Sequence, residues 1–183
     1  MKEKKQKNSS FILWPIKILI LALVFSLCFS LISEVALSNA SIVIAIIVIL
    51  VFVALGIYFD VLGLAVASAN IRHFTAMAAR KVKGSKQAIS LIKNADKVSS
   101  VCNDVFGDVC GILAGAAGAS IIAKIVLESD KSFLSILIPA LVSAIIAGLT
   151  IFGKAIFKRY ARNNANQITV RLAKFLNFFT RKG

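Results

Sequence analysis

Cys102-Asn-Asp-Val-Phe-Gly-Asp-Val-Cys-Gly-Ile-Leu-Ala-Gly-Ala-Ala-Gly-Ala119 is the stretch whose reading decides the fold. Its uncharged run, residues 109–123, is 15 residues long. Crossing a bilayer core takes about 20 residues at 1.5 Å each. The span must therefore extend upstream and carry Asp104 and Asp108 with it. At 100° per residue, Asp104, Asp108, Gly111, Gly115 and Gly118 share one stripe roughly 80° wide. Gly107, Gly111, Gly115 and Ala119 recur every fourth residue, the spacing that lets another backbone approach closely. The two acids are thus expected to face protein, with Gly107, Gly111, Gly115 and Gly118 as the packing surface. An aspartate at mid-bilayer costs about 2.5–3.5 kcal/mol, so a cation or proton site is one reading. The other places both acids at the polar end of the helix, met by water or basic loop residues.

Working outward, the rest of the chain is equally apolar. Hydrophobic residues make up 58% of its 183 residues, which points to an all-α, polytopic membrane protein. A net charge of +14 would suggest nucleic acid in a soluble protein, but its distribution argues against that here. Of 22 Lys and Arg, five lie in residues 1–17, seven in 72–97 and eight from Lys154 onward. These are alternate connections, the pattern of positive charge retained inside. The charge therefore reports topology and contact with anionic lipid headgroups.

Four spans follow. Residues 1–40 form a basic arm, a first membrane helix over 11–32 and an external loop. Ser38-Asn39-Ala40 resembles a signal cleavage site, but 22 apolar residues exceed the usual ~7–15, which favours a retained helix. A second span begins at the β-branched run after Ser41, and a bend or break is expected around residues 56–63 because the apolar stretch is too long for one straight crossing. Residues 72–97 are a basic cytoplasmic connection divided by Gly84, and residues 85–93 read as a plain amphipathic helix in the membrane interface. The stretch 128–132 is the second external turn. The fourth span covers 133–153, kinked at Pro139, with Ala140, Ala144 and Gly148 as a further packing line. An amphipathic basic helix over 154–180 lies along the inner interface. Both termini are then cytoplasmic.

No nucleotide loop, dinucleotide fingerprint, nucleophile elbow or zinc-protease motif occurs, and an enzyme has little support. Cys28, Cys102 and Cys110 form no metal-ligand spacing, and His73, the only histidine, lies in a basic loop.

Two stretches resemble the transmembrane domain of the cyclin M and CorC magnesium-transport family. One is Ala65-Val-Ala-Ser68-Ala-Asn70 followed by Gly84-Ser-Lys86-Gln-Ala88-Ile-Ser-Leu91 and Asp96, similar to the family's A-L-x-S segment and G-A-K-x-A-L-x-L-L connection. The other is Gly153-Lys-Ala-Ile-Phe-Lys158-Arg-Tyr-Ala161-Arg-Asn-Asn164-Ala165-Asn-Gln-Ile168, similar without gaps to G-E-x-x-P-K-x-x-A-x-x-N-A-x-x-I. The resemblance spans residues 41–180 and keeps the order of the motifs. It implies three membrane helices over 41–183, a cytoplasmic helical connection, a juxtamembrane belt helix and a homodimer. It also implies a divalent cation, magnesium, held by polar groups that include a G-N-N-like stretch. Either Gly107-Asp108 or Asn103-Asp104 resembles that stretch. Lys154, Phe157 and Gly63 depart from the family's Glu, Pro and acidic residue, and no stretch resembles its cytoplasmic CBS modules.

The resulting expectation is a divalent-cation transporter with oxygen ligands from Asp60, Asn103, Asp104 and Asp108, and with Ser68 and Asn70 beside them. Magnesium is the one inorganic partner expected. The alternative is a non-transporting scaffold or regulatory subunit that keeps the fold and binds a partner through its glycine faces.

Overall fold

In bilayer hydrocarbon every backbone N–H and C=O must be paired within its own segment. Apolar stretches that would make strands in water therefore become helices, and the computed structural model is all-helical. It describes residues 2–38, 41–126 and 133–180. The first helix, α1 (Lys2–Ser38), carries the basic arm and the first span without a break. The second, α2 (Ile42–Ser68), absorbs the β-branched run. Three short helices follow, α3 (Ile71–Ala79), α4 (Ser85–Lys93) and α5 (Ala95–Ser100). The chain then winds as a π-helix over Val101–Asp108 and returns to α-helix as α6 (Val109–Val126). The last two helices are α7 (Leu134–Asn163) and α8 (Ala165–Thr180). Four stretches are long and apolar enough to cross a membrane: Trp14–Ser33, Ile42–Ser68, Ala95–Ala119 and Ile136–Asn163. Asn39 and Ala40 of the first external loop, and the turn at 128–132, lie outside the described residues.

The second and third spans form the centre. Phe52 and Val53 of α2 interleave with Val109, Cys110, Leu113 and Ala114 of α6, while Phe29 of α1 and Ile146 of α7 close the sides. Thr150 of α7 is buried, and its hydroxyl donates to the Ile146 carbonyl at 2.8 Å, as a hydroxyl in an apolar helix must.

Three sequence expectations change. No break occurs over 56–63: α2 continues through it as one helix of 27 residues, about 40 Å, a length that a tilted helix accommodates. Its glycines serve close packing instead, and the chain breaks at Ala69 and Asn70, both extended. The belt helix over 154–180 is two elements. α7 continues past Lys154, and the turn comes at Asn164, whose side-chain amide donates to the Tyr160 carbonyl at 3.1 Å. The third change concerns α4, which does not lie alone on a membrane surface. Its Ala88 packs with Phe74 of α3 and Ala173 of α8, all essentially inaccessible.

α3, α4 and α8 thus make a small polar-linked layer at the basic end of the bundle. The Asn70 side chain caps α3 by accepting from the Arg72 amide at 3.0 Å, while its own backbone N–H donates to Asn166 Oδ1 at 2.9 Å. Gln87 Nε2 donates to Asn177 Oδ1 at 2.7 Å, tying α4 to α8. Gly84 adopts φ +86° and lies against the backbone of Lys174, where a side chain would be both strained and crowded. The N-terminal end of the first span reaches the same end of the molecule, with the Lys97 ammonium 5.1 Å from the centre of the Trp14 ring.

Candidate functional site

The contact between α2 and the π-helical segment is where buried polar chemistry collects. Gly56 and Gly107 face each other across it. A Cβ on Gly56 would stand 3.0 Å from the Gly107 carbonyl oxygen, and one on Gly107 would stand 3.4 Å from that of Gly56. The two backbones therefore touch, as small residues permit in a membrane bundle. One turn further along α2 is Asp60, only 7% exposed and opposite Gly107. Another turn on, Gly63 leaves a space that the Asn103 side-chain amide fills. Asn103 Oδ1 is buried there and accepts no hydrogen bond among the described residues. Asp60 likewise has no hydrogen-bond or ion-pair partner among them.

A buried amide oxygen without a partner is costly, because buried polar atoms are almost always paired, and Asp60 brings a carboxylate to the same helix contact. Both are hard oxygen donors of the kind that divalent magnesium or calcium prefers. Among the described residues no three His, Cys, Asp or Glu side chains converge. A metal at this contact would be held by Asp60, Asn103, nearby backbone carbonyls and water. That composition fits magnesium, which keeps much of its hydration shell.

The structure separates the sequence-derived candidates. Asp60 and Asn103 lie in the same helix contact. Asp104 and Asp108 are both exposed, but Asp108 reaches α7 on the same side as Gly111. A π-helix bonds i to i+5, so the 100° step fails between Asp104 and the glycines, whereas from Asp108 onward the chain is α-helical and the step holds. Val105 and Gly107 take the buried positions in that segment. Asp108 accepts a 2.7 Å hydrogen bond from Lys154 Nζ of α7, which is only 16% exposed while the carboxylate is 61% exposed. Ser68 lies outward two turns beyond Asp60, and Asn70 is engaged as a helix cap.

The glycines divide as well. Gly107 packs on Gly56, Gly111 approaches Thr150 at 3.8 Å, and Gly118 meets the Ile146 and Ile49 side chains. Gly115 faces open space, so it does not join the packing surface within the chain. Ala140, Ala144 and Gly148 of α7 also turn outward, and Gly148 has nothing nearby.

An aromatic cluster that pattern reasoning missed borders the site. Phe106 of the π segment stacks on Phe59 of α2 at 4.6 Å and meets the edge of Phe25 of α1 at the same distance. The one trace of it in the sequence is Phe25 and Phe29, four apart on one helix face.

Residues 45–181 match the family model of the Cyclin M transmembrane N-terminal domain (CNNM). No curated protein and no solved structure matches the chain.

Proposed function

The chain belongs to the cyclin M transmembrane N-terminal domain family, a transporter-type membrane domain and not a catalytic one, and on that premise we propose that it conducts a divalent cation of magnesium type. The observation that carries the proposal is the α2–π contact, where the Asn103 amide oxygen is buried without a partner and Asp60, 7% exposed, supplies a carboxylate. A charge kept there without a partner among the described residues has a purpose if an ion visits it. In this reading Asp60 supplies the negative charge and Asn103 a neutral oxygen, while Gly63 seats the Asn103 amide and Gly107 lets the two helices approach closely. Alternation of the bound ion between the two sides requires the second and third spans to shift against each other.

The same reading covers the surroundings. The basic ends, with exposed Arg72, Lys86, Arg162 and Arg171, lie at the cytoplasmic face against anionic headgroups, and both termini are cytoplasmic. The membrane is the cell membrane. A second copy covers the outward line Ala140, Ala144 and Gly148, forming a homodimer.

One observation favours a second reading, a non-transporting regulatory subunit. Lys154, where the resemblance has an acidic residue, brings a fixed ammonium to the third span and occupies Asp108. Reconstitution into liposomes loaded with a magnesium-sensitive dye separates the two. Transport predicts wild-type flux that Asp60→Asn lowers by about tenfold or more and Asp104→Asn leaves unchanged. Absence of flux from the wild type supports the subunit.

A further inference from the structure

A π-helix of eight residues needs something to hold it. Its hydrogen bonds are poorer than those of an α-helix, and such segments are rare and concentrated at functional sites. Tertiary contacts flank it on two sides. On one side the segment rests on α2 through Gly107 and Asn103. Phe106 stands between those two residues, and its ring lies between two others. Phe59, the neighbour of Asp60, stacks on one face at 4.6 Å and 21°, while Phe25 of α1 meets it edge-on at 4.6 Å and 75°. Phe25 is itself stacked on Phe29 at 4.8 Å, and Phe29 reaches the buried Phe52 at 6.1 Å. The rings form a continuous clasp from α1 across the π segment to α2.

Lipid tails offer the same dispersion that a ring does, so apolarity alone does not select this arrangement. What a ring adds is orientation, because face and edge contacts are geometrically restrictive. α1 lies outside residues 45–181, so the clasp comes from a helix appended to the family domain.

We propose that α1 is a positioning element: Phe25 orients Phe106 and so fixes the π turn that holds Asn103 against Gly63 and beside Asp60. This rests on the reading of Asp60 and Asn103 as a cation site. In that reading α1 sets how firmly the amide oxygen is presented, and hence the affinity for the ion.

Cys102 is a built-in reporter. Its Cβ lies 3.0 Å from the position a Gly63 Cβ would take and the side chain is half-buried, so separation of the two helices exposes it further. The full chain, carrying Cys28→Ala and Cys110→Ala so that one thiol remains, is placed in nanodiscs. The rate of Cys102 alkylation by a small permeant maleimide is measured with and without magnesium. Phe25→Ala is expected to speed alkylation about fivefold, which is what one lost aromatic pair converts to. Phe106→Ala, which loses both ring contacts, should speed it at least as much, and the double variant should be no faster than Phe106→Ala. Phe25→Tyr should restore the wild-type rate, and Leu23→Ala, outward on the same helix, should leave it unchanged. Phe25→Leu serves if the alanine variant does not fold, and it should resemble alanine because bulk without a ring does not orient Phe106. Magnesium should slow alkylation of the wild type, with a weaker effect at the same concentration in Phe25→Ala. Wild-type alkylation of Phe25→Ala or Phe25→Leu, or effects of Phe25 and Phe106 that simply multiply, overturns the clasp. A wild type indifferent to magnesium contradicts the cation reading and leaves the ring coupling to be judged on its own.

Discussion

Asp60 and Asp108 are two acids on neighbouring spans with opposite situations. Asp60 is buried without a partner among the described residues, whereas Asp108 is exposed and reaches a lysine. Neutralising each should therefore have opposite effects on stability. Asp60→Asn removes an uncompensated charge and should raise the midpoint of thermal unfolding in ion-free detergent. Asp108→Asn weakens an exposed ion pair and should lower stability by less than about 1 kcal/mol, an amount that shrinks further in high salt. A midpoint lowered by Asp60→Asn would mean that the carboxylate is structurally paired. Asp60 and Asn103 were both recognisable as polar residues in apolar surroundings. Their meeting was not, because it depends on Gly63 being small enough to admit the Asn103 amide.

Helices are where sequence periodicity succeeded and where it failed. The four spans were legible because bilayer thickness sets a length that apolar runs reveal. Gly84 was legible too, since a glycine between two amphipathic stretches marks a turn, and it adopts the left-handed conformation. The π winding over Val101–Asp108 was not legible, and it breaks the 100° step between Asp104 and the glycines, whereas Asp108 stays with Gly111 against α7. Likewise, the division of the last basic stretch at Asn164 depends on α8 packing beneath α4, a long-range contact. These contacts rank the glycines. Gly56→Ala, facing the Gly107 backbone carbonyl, and Gly63→Ala, displacing Asn103, should each cost about 1–3 kcal/mol by overpacking. Gly118→Ala meets only the flexible side-chain ends of Ile146 and Ile49 and should cost less, while Gly115→Ala, facing open space, should be neutral or gain up to about 1 kcal/mol of helix propensity in the monomer. Unfolding of the purified variants by increasing denaturing detergent tests the order. Equal tolerance of Gly56→Ala and Gly115→Ala would contradict the close backbone approach.

The whole molecule is a membrane bundle with one polar end, and its function depends on whether the buried contact binds an ion. Single cysteines introduced at Ser9, Lys83 and Lys174 should label only after permeabilisation if the basic end is cytoplasmic, and one at Ser129 should label in intact cells. Reversal of that pattern would place the basic end outside. The claim on which the rest depends is tested most directly by thermal unfolding of the purified full chain as magnesium is titrated. An ion that binds only the folded state at a hundred times its dissociation constant stabilises by about 2.7 kcal/mol. The account predicts a wild-type midpoint that climbs with magnesium and an Asp60→Asn midpoint that starts higher and stays flat. A wild type whose midpoint does not respond to magnesium, or an Asp60→Asn variant that responds as strongly as wild type, would contradict it.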